Sequence, residues 1–194
     1  MKKKIMNENP TVEMLEAELN RMKYRQRYRG LLKSTVYTLI AVAAAAILVA
    51  MLWLPVLQIY GNSMTPTLRD GEIVFSVKTS DHKQGDVIAF YYNNKILIKR
   101  VIAGPGDWVD ISPETGDVSV NSIALDEPYL AEKSFGDADI AFPYQVPDGK
   151  IFVMGDHRST SVDSRHTAVG CVAEEQIVGK IVFRVWPLDR IGGF

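Results

Sequence analysis

A chain of 194 residues, 47% apolar and 23% charged, has the balance of a folded protein rather than a disordered one, with room for one domain and a smaller segment. Its formal net charge of −1 excludes the overall basicity of a nucleic-acid binder, and its single cysteine, Cys171, excludes an intrachain disulfide. Gly170 and Val172 offer that cysteine no base, so it reads as a small buried apolar residue.

The charge is unevenly spread. Lys2, Lys3 and Lys4 open the chain, and Arg21, Lys23, Arg25, Arg27, Arg29 and Lys33 crowd a second stretch. Residues 1–33 are expected to be a basic, partly helical segment. Asn9 followed by Pro10 reads as a helix N-cap with proline in the first turn. Leu15, Leu19 and Met22 fall at i, i+4 and i+7, a narrow apolar stripe on a charged helix. It suits a solvated or membrane-surface helix, with a partner-binding helix as the alternative.

Residues 34–54 carry no charged side chain, and as a helix they would span ~31 Å, enough for a hydrocarbon core of about 30 Å. Tyr37, Trp53 and Tyr60 stand where interfacial aromatics are expected. The apolar run and its basic preface are both longer than those of a secretory signal, which favours an uncleaved anchor. Basic residues crowd the N-terminal flank and are missing from residues 55–68, so the positive-inside rule predicts a single pass with a cytoplasmic N-terminus. Residues 55–194 would then be extracytoplasmic, and membrane lipid is an expected partner.

Beyond the anchor the chain reads as β structure. Runs rich in Val, Ile, Phe and Tyr predict strands at 73–77, 87–92, 96–102, 108–111, 150–154 and 178–185. Turn signals separate them: Arg69-Asp70-Gly71, Asn93-Asn94, Gly104-Pro105-Gly106-Asp107 and Pro147-Asp148-Gly149. Alternation is visible only in places. A single helical turn is expected near 173–176, and 131–147 reads as an irregular surface excursion. The predicted fold class is mainly β, a largely antiparallel barrel or sandwich after one transmembrane helix.

Four clusters in this region carry chemistry. They are Gly61-Asn62-Ser63-Met64-Thr65-Pro66-Thr67-Leu68, Gly71-Glu72-Ile73-Val74, the run from Lys99-Arg100 to Gly106-Asp107, and Gly155-Asp156-His157-Arg158 continuing to Ser161, Asp163, Ser164 and Arg165. Singly each is weak. In this order, after an anchor, they resemble the sequence boxes of the type I signal peptidases, over the anchor and most of 59–185. The short β segment, without a large inserted domain, looks like the compact forms of Gram-positive bacteria. The resemblance implies a membrane-bound serine endopeptidase that removes signal peptides from secretory preproteins, with Ser63 as nucleophile and Lys99 as general base. It also implies an antiparallel β domain with an apolar face on the membrane, acting as a monomer without cofactor.

The residues support that chemistry. A serine hydroxyl needs a base within hydrogen-bond reach. A lysine with an ordinary pKa of about 10.4 would be only about 0.04% neutral at pH 7, so Lys99 must be buried to serve. On a strand at 96–102 it shares a face with Leu97 and Val101, while Arg100 points the other way. By resemblance, Ser161 hydrogen-bonds the lysine and Asp163 and Arg165 form an ion pair beside the site, a network that Asp156 and Arg158 would extend.

Two positions depart from the family pattern. His157 stands where asparagine is common, inviting a Ser-His-Asp reading. Lys99 already supplies the base, and the adjacent Asp156 cannot orient the ring. Gly61 stands where some relatives carry a serine whose hydroxyl stabilises the oxyanion. The Ser63 backbone N–H remains as one donor, and no second is evident. Substrate is expected to add as a strand, with Ala-X-Ala-like ends in shallow apolar pockets. By motif match Ile59, Met64, Leu68 and Ile98 line them, although each is equally explicable as core. His82, His157 and His166 lack partners at metal-ligand spacing, and no phosphate or dinucleotide fingerprint occurs. The competing readings are a self-cleaving repressor, which needs a DNA-binding domain where this chain has an anchor, and a non-catalytic scaffold, which would have lost Ser63 and Lys99.

Overall fold

The structure is a computed structural model that describes residues 11–53 and 55–193, in two compact units, Met1–Ala50 and Met51–Phe194. The predicted cap at Asn9-Pro10 lies outside the described residues. From Val12 the N-terminal unit belongs to one uninterrupted helix, α1 (Val12–Trp53), with no break where the basic residues meet the apolar ones. Its length and composition suffice to cross a membrane. Thr35 and Thr38 donate their hydroxyls to the carbonyls of Leu31 and Ser34, both at 2.9 Å, so neither presents a bare polar group to lipid. Leu15, Leu19 and Met22 are exposed along it.

Among the described residues the second unit holds twelve strands: β1 (Val56–Gln58), β2 (Ile73–Val77), β3 (Val87–Tyr92), β4 (Lys95–Ala103), β5 (Trp108–Ile111), β6 (Val118–Val120), β7 (Ile123–Ala124), β8 (Tyr144–Gln145), β9 (Lys150–Met154), β10 (Val172–Ala173), β11 (Ile177–Trp186) and β12 (Gly192–Gly193). Four of the predicted strands have the observed bounds, and β4 and β11 each run slightly longer. The helical turn near 173–176 is the 3₁₀ turn Glu174–Gln176.

All pairings are antiparallel. One sheet runs β1-β2-β11-β3-β4-β9-β10 with β12 beside β11, and a smaller one runs β7-β6-β5-β8. Both orders are open, which corrects the barrel alternative. The larger sheet is buried on both faces. Ala89 packs with Ile59, Met64, Leu68 and Val74, whereas its neighbours Ile88 and Phe90 pack with Val101, Ile151 and Val153 on the other side. Two buried faces require continuous apolar runs, which is why alternation was faint in the sequence. A third cluster joins Ile102, Phe152 and Met154 to Val109, Ile111, Val118 and Val120 of the smaller sheet.

The expected excursion at 131–147 is no bystander. Phe135, Ile140, Phe142 and Tyr144 pack on that third cluster, and β8 pairs with β5. What positions the site is the split pairing of β4. Residues 95–100 pair with β3 and only Arg100 onward pairs with β9, across an irregularity between Val101 and Ala103.

Candidate active site

The site is built from a turn, a strand and a loop. The turn follows β1. Gly61 has φ +83°, a conformation that favours glycine, and its N–H donates to Asp70 Oδ1 at 2.7 Å. Thr65 N–H donates to the Asn62 carbonyl at 3.1 Å, and Leu68 N–H to the Met64 carbonyl at 2.8 Å. Met64 and Leu68 are buried beside Ile59, so apolar anchors hold a turn on which Ser63 stays half-exposed.

The strand supplies Lys99. It lies opposite the fully buried Ile88 and is itself only 3% exposed. Burial brings its pKa down from 10.5 to about 8; the negative charges of Asp163 and Asp156 act against that fall and Arg165 adds to it. Among the described residues Lys99 makes no ion pair.

The loop from Gly155 to Arg165 joins the two. The His157 N–H donates to the Ser63 carbonyl at 3.0 Å. A Cβ on Gly155 would fall on Ser161 Oγ and 2.5 Å from the Ser63 carbonyl oxygen, so only glycine admits this approach. Asp163 and Arg165 are both fully buried and pair in two-pronged fashion, Nε to Oδ1 at 2.8 Å and Nη2 to Oδ2 at 2.9 Å. Asp163 Oδ2 also accepts the Gly155 N–H, and Arg165 reaches the carbonyls of Phe135 and Arg158. One guanidinium thus braces the loop internally and ties it to the chain at Phe135. Ser161 Oγ, however, is buried without a hydrogen-bond partner, so its expected bond to Lys99 is not formed here.

A groove of about 650 Å³ leads away from Ser63. Residues 56–61 form one wall, including Ile59, residues 94–98 the other, including Ile98, and Met64 also lines it beside Ser63. Leu68 is not among the lining residues; it is 0% exposed, turned into the core by the bond from its N–H to Met64. Gly61 lines the groove, but its N–H is already committed to Asp70.

A bidentate buried ion pair, a buried lysine short of its usual charge and a serine at the head of an apolar groove are brought together by segments far apart in sequence. The family described as signal peptidase, peptidase S26, matches residues 31–186. The chain belongs to that family. Signal peptidase IB of Staphylococcus aureus (strain Mu50 / ATCC 700699) is 40% identical to it over 153 residues, 68% of this chain and 78% of that protein. Signal peptidase I of Bacillus licheniformis is 36% identical over 169 residues, 79% of this chain and 87% of that one. A signal peptidase I crystal structure from Enterococcus faecalis V583 shares 28% identity and a TM-score of 0.45, covering 52% of this chain and 96% of that one. Membership makes the chain a serine endopeptidase of the signal peptidase type.

Within this peptidase three pairings lay outside sequence reasoning. Arg100 does point away from the Lys99 face, yet it forks onto Asp156 at 2.9 and 2.6 Å and lies 3.9 Å from the Tyr129 ring centre. Asp156 also accepts the Thr67 hydroxyl at 2.6 Å, linking the Ser63 turn to the loop. Arg158 pairs not with Asp156 but with Glu127, both fully buried. Glu72 holds Arg184 and Arg190, which also reach the carbonyls of Thr67 and Pro66. Arg100, Asp156, Arg158 and Glu72 sat in sequence motifs; Glu127 and Arg190 carried no local signal.

Proposed function

We propose that this membrane-anchored serine endopeptidase removes N-terminal signal peptides from secretory preproteins through Ser63 and Lys99. The observation that carries the assignment is Lys99: a buried lysine, without an ion-pair partner among the described residues and with its pKa near 8, beside the loop that touches Ser63. Neutral Lys99 takes the Ser63 proton as Oγ attacks the scissile carbonyl, and the resulting ammonium returns it to the leaving amine. Lys99 then deprotonates a water that attacks the acyl-enzyme, the bond to Ser63 Oγ breaks, and the lysine ammonium returns the proton to Oγ. The Ser63 backbone N–H stabilises the oxyanion. Ser161, Asp163 and Arg165 hold the lysine's surroundings, and Gly61 gives the substrate backbone room to approach.

Substrate enters the groove as an added strand between the chain at 56–61 and the 95–98 edge of β4. Ile59, Met64 and Ile98 leave shallow apolar pockets, which suits Ala-X-Ala-like ends. Residues 34–54 span the membrane once, the basic segment 1–33 stays in the cytoplasm, and 55–194 work outside as a single copy on preproteins emerging beside the lipid. Cleavage of an exported preprotein in detergent tests the reading. Ser63→Ala and Lys99→Ala are each expected to abolish cutting while the chain stays folded. Equal cutting by Lys99→Ala and wild type removes Lys99 as the base.

A further inference from the structure

We infer that His157 is a positioning residue that fixes the oxyanion donor through the Thr65 hydroxyl, an inference that rests on Ser63 being the nucleophile. His157 Nδ1 lies 3.2 Å from Thr65 Oγ1. The Thr65 hydroxyl donates its one proton to the Asn62 carbonyl at 2.8 Å. Towards the ring it is therefore an acceptor, which places the imidazole proton on Nδ1. The relay runs from the ring N–H to the Thr65 oxygen, and from the Thr65 hydroxyl to the Asn62 carbonyl.

The Asn62 carbonyl shares a planar trans peptide with the Ser63 N–H, so the two point in opposite directions and turn together. The carbonyl accepts from both the Thr65 N–H and the Thr65 hydroxyl. Holding it from both fixes the direction of the Ser63 N–H on the far side of the same peptide. His157 also grips the next peptide, its own N–H donating to the Ser63 carbonyl. One residue thus braces both peptide planes of Ser63. The brace matters here because Gly61 has no side chain to donate and its N–H is occupied by Asp70. Since Gly61 supplies no donor, the orientation of the Ser63 N–H weighs more heavily in the transition-state stabilisation.

The test uses the full chain in detergent, with kcat and KM measured on a preprotein for wild type, His157→Ala, His157→Asn, Thr65→Val and the double variant His157→Ala/Thr65→Val. The oxyanion forms only in the transition state, so His157→Ala and Thr65→Val should each lower kcat about tenfold at unchanged KM. The double variant should be no slower than either single one, because both break the same relay. His157→Asn should recover most of the rate, since its amide can donate to Thr65 Oγ1. Where His157→Ala does not fold, Thr65→Val carries the measurement. Wild-type kcat in Thr65→Val, additive losses, or an Asn variant as slow as the Ala variant would each overturn the inference while leaving Ser63 as nucleophile. Cutting that persists in Ser63→Ala would remove the nucleophile itself.

Discussion

The pH dependence of cleavage reports directly on the burial of Lys99. In the proposed mechanism neutral lysine is the active form, so kcat/KM should rise with pH through the folded-state pKa of about 8 and level off above it. At pH 7 a pKa of about 8 leaves about 9% of the lysine neutral, against about 0.03% at 10.5, a gain near 300-fold. Replacing Ile88, which lies opposite Lys99 and is fully buried, with alanine lets water approach the amine and weakens desolvation. If the pKa climbs to about 9, the neutral fraction at pH 7 falls to about 1% and the rate there roughly tenfold, while the plateau above pH 10 is kept. The assay is kcat/KM on a fluorogenic signal-sequence peptide from about pH 5 to about pH 11, with urea unfolding to confirm that Ile88→Ala, at a cost of about 2–5 kcal/mol, is still folded. An acid limb near 6.5 would point to a histidine instead, and a limb that Ile88→Ala leaves in place would refute desolvation as the cause.

Gly155→Ala should stop cleavage and lower the melting temperature, because its methyl group would meet Ser161 Oγ and the Ser63 carbonyl; activity and a thermal melt check both. Arg165→Met leaves Asp163 buried without its partner and should cost about 3–5 kcal/mol in urea unfolding, far beyond the value of a surface ion pair. Ile98→Ala should widen the groove and favour a substrate with Val in place of the terminal Ala by about tenfold relative to wild type, read as the ratio of kcat/KM values.

The sequence by itself located the apolar helix and six of the longer strands, and it singled out the candidate reactive residues. The uncharged run at 34–54, the strand boundaries and the four motifs are all local patterns, and local patterns report period, turn chemistry and face. They placed Lys99 on an apolar strand and separated it from Arg100, as the structure does. Tertiary structure alone decided the partners. Arg100 meets Asp156 across 56 residues and Arg158 meets Glu127 across 31, separations that leave no periodic trace. It also decided that Leu68 faces the core rather than the groove, that the sheets stay open, and that the segment at 131–147 packs aromatic side chains inward. The Thr65 to His157 contact belongs to the same class: the two residues sat in separate motifs 92 residues apart until the fold closed one loop over the other. Burial and ion pairing depend on which distant segments share a low-dielectric interior, a property of the closed chain that no window of sequence contains.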